Sequence, residues 1–459
     1  MLLFRSRLSL ALPIFAFLIL LIVASGNVLS ERSQGINSRL PSDAPSELKA
    51  FWEAWEVVSE EYVNKDQINP SELSIGAING ILDALGEPDS NYPILNSAQR
   101  DTQDLSSVWH AWDLVVENHG GVENLDVPML NAAAIQGMLS ALGNRFTYHR
   151  TKDAFEIAKD DFDSEFEGIG ARVQMLNGQV IISSFVANSP AKEFGVMVGD
   201  VILAVNGEPI QGLGLDQVVL KVRGEKGTPV ALLVKHADSK ELETVTVVRG
   251  LIYLESVYWE TLPEDVAYLR IKEFVADTGV EVHRALLAIQ DSKMRGIVLD
   301  LRLNPGGLLE STVDVASEFL REGLVLYQID SSGNRVDSMV RTSSVPSNLP
   351  MVVILNEASA SGAEVLAGAL RDHGRASLVG ARSFGKGSVN VLRQLSDGSA
   401  IYLTSALWYT PNGDLIEGLG LMPDVPIPMD IHTPLGSSLD IQLFVARDVL
   451  QQRLVLETS

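Results

Sequence analysis

Hydrophobic periodicity changes twice along this chain, and no single packed layer accommodates all three patterns. Between residues 48 and 165 apolar side chains recur three and four apart, as at Trp52, Trp55, Val58 and Tyr62, which marks one face of a helix. From Phe166 the pattern shortens to β-type runs (Val180 to Ile182, Val201 to Val205, Val230 to Val234, Thr244 to Val248), with tight turns at Asn206-Gly207 and Lys226-Gly227 and a short helix over Asp216 to Lys221. Beyond residue 250, strands at Gly296 to Leu301, Met351 to Leu355 and Ser377 to Val379 alternate with helical stretches at Ser311 to Leu320 and Ala363 to Arg371. That alternation predicts a parallel α/β core. The chain is thus read as multidomain α/β: a helical region over 48–165, a β-rich module over 166–250, a core over 251–431, and a helix within 432–459 that packs back through Leu439, Leu443, Val445, Val449, Leu450 and Leu454.

The helical region is duplicated at an offset of 57 residues, without gaps. Phe51-Trp52-Glu53-Ala54-Trp55 recurs as Val108-Trp109-His110-Ala111-Trp112, and Ala77 to Gly86 recurs as Ala134 to Gly143. Two amphipathic helices are expected in each copy, the second stopped by Gly86 and by Gly143, with the tryptophans in the core.

At 459 residues and 46% hydrophobic content the chain can build more than one core. A formal charge of −24 opposes phosphate-backbone binding, so no nucleic-acid partner is expected. With no cysteine, disulfides, thiol nucleophiles and thiolate metal sites are excluded, and no cluster of His, Asp and Glu with ligand spacing suggests a metal or cofactor. Arg5 and Arg7 precede an apolar run from Leu8 to Ala24, longer than the ~7–15 residues of a usual signal core. Residues 1–26 are therefore read as a membrane anchor, with Ala24-Ser25-Gly26 as a cleavage site in the alternative, and 27–47 as a polar tether. The basic flank orients the remainder outward, as a single-pass membrane protein with an extracytoplasmic domain or as an exported one.

Chemistry concentrates in three segments of the core. Asn356 to Glu364 reads as strand, turn and helix, a geometry that exposes a serine hydroxyl beside the unpaired N–H groups of a helix N-terminus. Ser361 followed by Glu364 is equally an ordinary capping box. Lys386 sits in Ser383-Phe384-Gly385-Lys386-Gly387-Ser388-Val389-Asn390, among glycines and apolar residues. Such surroundings lower an amine's pKa by desolvation, and a neutral amine can take a serine proton. The histidines beyond the β-rich module, His283, His373 and His432, lie in no glycine-rich or acid-paired setting, so a Ser–His–Asp arrangement is weak. Asp300 to Gly307 follows a central strand with one proline and two glycines; Gly306 or Gly307, together with Gly362, is assigned to an oxyanion hole, a simple turn being the alternative.

These segments, with Tyr409 to Gly413 and Met422-Pro423-Asp424, resemble the protease signatures of the carboxyl-terminal processing (tail-specific) proteases. Phe166 to Ala171, Asn188 to Ala191, Gly199 to Gly207 and Arg223 to Thr228 resemble the PDZ signatures of the same family. The resemblance implies a crotonase-like α/β serine protease core with an inserted PDZ domain, and an ATP-independent endopeptidase that recognises substrate C-termini. It also selects Ser361 over Ser359, because nucleophile and base in that family lie 25 residues apart, as Ser361 and Lys386 do. Gly168, Ile169, Gly170 and Ala171 are then expected to cup the terminal carboxylate of an apolar peptide. Arg223 matches an arginine that helps couple the PDZ domain to the protease, a solvated turn residue being the alternative. Asn390 stands where the family has glutamine, an amide one methylene longer that orients the lysine; a shorter side chain leaves open a catalytically weak or inactive peptide-binding scaffold of the same fold.

Overall fold

The computed structural model describes residues 40–42, 44–86, 105–159, 164–176, 178–236, 241–341 and 347–457. The expected anchor, and all of the tether before residue 40, lie outside the described residues. Among the described residues no helix is long and apolar enough to cross a membrane.

The sequence repeat is also a structural one. Helix α1 (Lys49–Glu61), a 3-10 turn (Lys65–Gln67) and α2 (Pro70–Leu85) are followed by α3 (Ser106–Asn118), a 3-10 turn (Val122–Asn124) and α4 (Val127–Ala141). Asn69 and Asp126 cap α2 and α4 by accepting from the N–H of Ser71 and of Met129, and Gly86 and Gly143 follow the helix ends at positive φ. The second helices of the two copies cross on small residues. A Cβ on Gly137 would lie 2.1 Å from the Gly76 carbonyl oxygen, and one on Gly80 would lie 2.2 Å from that of Ala133. Gly76 is equivalent to Ala133 and Gly80 to Gly137, so one contact is made twice about a pseudo-twofold axis. Phe51 meets Trp109 edge-on at 5.9 Å; Trp109 and Trp112 are buried, while Trp52 and Trp55 are half-buried.

Strand β1 (Tyr148–Arg150) and helix α5 (Lys152–Lys159) lead to the β-rich module. The module enters through β2 (Glu165–Gly168) and leaves through β9 (Gly250–Tyr253), which pair antiparallel. Between them β3 (Ala171–Leu176), β4 (Gln179–Phe185), β5 (Val201–Val205), β7 (Pro229–Lys235) and β8 (Leu242–Val248) form an antiparallel sheet in that order, with β6 (Glu208–Pro209) beside β5. Helices α6 (Pro190–Glu193) and α7 (Leu215–Val222) complete it over a core that includes Ile182, Ile202, Val218, Leu232 and Val247.

The core has two sheets. In the first, β11 (Val266–Ile271), β12 (Gly296–Asp300), β15 (Met351–Leu355), β16 (Ala376–Gly380) and β19 (Val425–Pro426) run parallel, and β10 (Val257–Leu262) pairs antiparallel at one edge. Its strands are apolar on both faces because both faces are covered. Val266, Tyr268, Val298, Val352 and Ile354 meet helix α11 (Ile441–Glu457), whereas Leu269, Leu299, Val353 and Leu355 share a core with α8 (Thr278–Asp291), α9 (Leu309–Ser317) and α10 (Gly362–Asp372). The second sheet is antiparallel: β1, β18 (Ala400–Tyr409), β13 (Leu324–Asp330) and β14 (Arg335–Met339) lie in that order, and β17 (Ser388–Gln394) also pairs with β18. The sequence reading contains no such sheet. The helical region packs on it through Leu395, Ile401 and Leu403.

Candidate active site

Three loops at the C-terminal ends of the parallel strands meet at Ser361. The first leaves β12 at Asp300, whose carboxylate holds the fully buried Arg302 guanidinium at 2.6 Å while Asp440, ahead of α11, holds its other side at 2.6 Å. Burial lowers the pKa of the guanidinium, but the two carboxylates outweigh it and raise that pKa above the usual arginine value. Leu303 follows with φ +60 and its side chain 40% exposed, its N–H donating to Asn356 Oδ1 at 3.0 Å. Asn304 then braces the turn, donating to the Ile271 carbonyl at 2.9 Å and accepting from Gly306 N–H at 2.8 Å.

The two glycines of this loop are needed for approach. A Cβ on Gly306 would lie 2.6 Å from Ser361 Cβ and 2.8 Å from Gly362 N, and one on Gly307 would lie 2.1 Å from the Phe274 carbonyl oxygen. Gly306 gives its N–H to Asn304. The N–H groups of Gly307 and Gly362 donate to no partner among the described residues.

The second loop leaves β15 and turns into α10. Ser359 spends its hydroxyl structurally, donating to the Leu301 carbonyl at 2.8 Å and accepting from Asn356 N–H at 2.9 Å. Ser361 Oγ is buried and has no hydrogen-bond partner among the described residues. Its backbone takes φ +56 and ψ −117, a conformation L-residues rarely adopt. Half of the expected capping box is present: Glu364 accepts from Ser361 N–H at 2.8 Å, but the serine hydroxyl does not cap the helix.

Glu364 joins this loop to the third. One carboxylate oxygen accepts from Ser361 N–H and from Lys386 N–H at 2.9 Å; the other accepts from Gly385 N–H at 2.7 Å and Ser383 Oγ at 2.5 Å. Burial raises the Glu364 pKa, and these four donors oppose the rise. The sequence reading treats Glu364 only as a capping residue; its other donors come from a segment some twenty residues further on, which spacing does not reveal.

Lys386 is 4% exposed. Burial pulls its pKa down to about 8 against the attraction of Glu417 and Glu364. Its Nζ lies 5.2 Å from the centre of the Phe146 ring, a residue absent from the sequence-based site. Asn390 is buried nearby, but its amide donates to the Phe146 carbonyl at 2.5 Å and its Oδ1 has no partner among the described residues. Its carbonyl oxygen thus makes no hydrogen bond to the lysine amine.

In the β-rich module, Gly168 ends β2, Ala171 opens β3, and Gly170 between them has φ +71, where a Cβ would lie 3.0 Å from Ser189 Cα. The Ile169 carbonyl accepts from Ser189 Oγ at 3.0 Å and Ala191 N–H at 2.9 Å, while the N–H groups of Ile169 and Gly170 donate to no partner among the described residues. Arg223 stands at the junction with the core, donating to the Ile157 carbonyl at 3.3 Å, 5.1 Å from the Phe166 ring centre, and lining a cavity with Ser164, Ala276 and Asp277.

The sequence model of peptidase family S41 matches residues 265–427, and that of the PDZ domain matches residues 160–235. Over 302 residues the chain is 35% identical to a carboxy-terminal-processing protease of Bartonella bacilliformis, covering 64% of this chain and 68% of that protein. Over 326 residues it is 34% identical to the carboxy-terminal processing protease CtpB of Bacillus subtilis, covering 70% and 68%. Among solved structures, the photosystem II D1 C-terminal processing protease aligns with a TM-score of 0.50 at 26% identity, over 86% of this chain and 99% of that one. At this identity over most of the relatives' length, the chain belongs to the carboxy-terminal processing proteases, serine-type peptidases of family S41 that carry a PDZ domain.

Proposed function

We propose that this protein is an endopeptidase that captures substrates by a free, apolar C-terminus and cleaves them with a Ser361–Lys386 pair, without nucleotide. The observation that carries the reading is the contrast between the two loop serines: Ser359 is bonded on both sides, whereas Ser361 has an unclaimed hydroxyl in a loop tied through Glu364 to a lysine discharged near pH 8. Neutral Lys386 takes the Ser361 proton as Oγ attacks the scissile carbonyl. The N–H groups of Gly307 and Gly362 then hold the oxyanion, with Gly306 allowing the close approach. Collapse expels the amine, which receives the proton from the Lys386 ammonium. Water attacks the acyl-enzyme with Lys386 again as base, restoring Ser361.

The N–H groups of Ile169 and Gly170, between Gly168 and Ala171, receive the substrate's terminal carboxylate, and Arg223 transmits occupancy of the PDZ domain to the core. Asn390 contributes through Phe146 rather than through the amine. An apolar N-terminal run behind a basic flank supports a location of the domains outside the cytoplasm, anchored or exported. The unpartnered Asn390 Oδ1 favours one competing reading, a scaffold that binds peptides without cutting them.

The test is cleavage of an unstructured protein ending in apolar residues, and of its C-terminally amidated form, by the wild type and by Ser361→Ala and Lys386→Ala. Cleavage by the wild type alone, weakened by amidation, is expected. Binding of the free C-terminus by all three proteins with no cleavage would establish the scaffold instead.

A further inference from the structure

The duplicated helical region ends against the lysine of the site. After α4 the chain passes through Asn144, Arg145 and Phe146 before entering β1. Phe146 is 4% exposed, its ring centre lies 5.2 Å from Lys386 Nζ, and it meets the Phe384 ring edge-on at 6.3 Å. The Arg145 guanidinium covers both rings, 4.7 Å from the centre of one and 4.6 Å from the other.

This loop is pinned from every side. Asn390 grips the Phe146 carbonyl at 2.5 Å, and Asn144 Oδ1 accepts from Phe146 N–H at 2.9 Å. Asn144 in turn reaches Tyr62 at the end of α1 at 3.4 Å. Thr404 of β18 accepts from Val63 N–H at 2.9 Å and donates its own N–H to Thr147 Oγ1 at 3.1 Å, so both copies of the repeat and the second sheet fix one loop. Only the second copy can serve: the positions equivalent to Arg145 and Phe146 in the first are Pro88 and Asp89.

We infer that Phe146, delivered by the second copy of the repeat and clasped by Asn390, is a positioning residue that walls the Lys386 amine from water and so sets the pH at which it acts as base. A ring near an ammonium acts in two opposing ways: its face attracts the cation, and its bulk removes water. The Lys386 pKa lies below the ordinary lysine value, so exclusion of water outweighs attraction. Charged groups face the amine from the neighbouring elements: Glu364 from α10, and Glu417 from the loop after β18, which accepts from Gly387 N–H at 2.8 Å and interacts with Arg145. Both carboxylates favour the ammonium, so the lowered pKa comes from burial, to which the Phe146 ring contributes an apolar face 5.2 Å from the amine.

The inference rests on Lys386 being the base, and the experiment separates the two. In the full-length protein, single-turnover acylation by an activated ester is followed against pH for the wild type, Phe146→Ala and Phe146→Leu, while the same proteins labelled with 15N-lysine report the Lys386 amine by NMR titration. Phe146→Ala is expected to move both midpoints upward by about one pH unit or more, and Phe146→Leu, which keeps apolar bulk, by only a few tenths. An amine midpoint unchanged in Phe146→Ala overturns the inference whatever the rate does. An amine midpoint that moves while the rate profile stays fixed upholds the wall and removes Lys386 as the base. Should Phe146→Ala fail to fold, Phe146→Val is titrated against the same criteria.

Discussion

The backbone amides of Ser361 and Lys386 donate to one and the same oxygen of Glu364. The two residues, 25 apart in sequence, are thus positioned through their main chains and not only through their side chains. In Glu364→Gln the amide retains one oxygen for four donors. Leaving buried donors unpaired costs about 1–3 kcal/mol each. A displacement near 1 Å at such a site lowers rates on the order of 100-fold. Peptide cleavage should fall by at least that factor and the melting temperature should drop; a variant that melts lower but cleaves at the wild-type rate would show that Glu364 serves the fold alone.

Strain at Ser361, the proposed nucleophile, gives a second expectation. Ser361 sits at φ +56 and ψ −117, which glycine adopts freely. Its hydroxyl makes no hydrogen bond among the described residues, so its removal forfeits none of those contacts. Ser361→Gly should abolish cleavage while raising stability by about 1 kcal/mol, measured by denaturant unfolding. Ser361→Ala should be equally inactive with stability near that of the wild type.

Leu303 presents the same conflict at a neighbouring point of the site, with φ +60 and an exposed apolar side chain. Leu303→Asn or Leu303→Gly should stabilise the protein by about 1 kcal/mol, because either residue tolerates that conformation. A loss of stability would mean that contacts of the leucine side chain outweigh the strain.

Lys386 supplies a pH dependence of opposite sign to that of an ordinary ion pair. Its pKa falls from the ordinary lysine value of 10.5 to about 8 on folding, so between those values the unfolded chain binds more protons than the native one. The resulting cost to stability is complete below pH 8 and vanishes as pH rises to 10.5. Lys386→Met should therefore be more stable than the wild type at pH 7 by on the order of 3 kcal/mol, with the difference shrinking toward zero near pH 10.5. Activity of the wild type should rise with pH through about 8, and a rate flat from pH 6 to 10 would falsify the neutral-amine mechanism.

Arg302 bridges Asp300 and Asp440 with no exposure of any of the three charged side chains. Asp440→Asn leaves the guanidinium balanced by Asp300 but replaces a charge-assisted bidentate contact with a single neutral acceptor, and should destabilise the protein by about 1.5 kcal/mol. The glycine loop beside Ser361 is joined to α11 through this bridge, so cleavage should decline with it. Unfolding curves and cleavage rates of the same preparations measure both.

What the sequence discloses depends on whether a residue suits its immediate neighbours. A lysine among glycines and phenylalanine, and a serine between a strand and a helix, announce themselves locally, as does a repeat that preserves its glycines. The second sheet does not: Arg335 to Met339 reads as polar, and the pairing of Tyr148 with Tyr402 joins residues far apart in sequence. Phe146 is hidden for the same reason, since a phenylalanine after a helix is unremarkable until the strand carrying Asn390 arrives beside it. Glu364 is half legible: its spacing from Ser361 marks a cap, but three of its donors come from the Ser383 to Lys386 segment. Asn390 shows the limit from the other side, because its length indicates what it cannot reach and not what it grips instead.

Synthesis runs from the N-terminus, and the bonds that complete this site do not close in that order. Phe146 waits for Asn390, and Arg302 waits for Asp440, almost at the end of the chain. A nascent chain carrying the first 430 residues includes Ser361 and Lys386 but lacks the Asp440 carboxylate that anchors the glycine loop through Arg302. Order in the glycine loop therefore arrives late: the loop that carries Gly306 and Gly307 is settled by a carboxylate 138 residues beyond Arg302, once the segment ahead of α11 has been made.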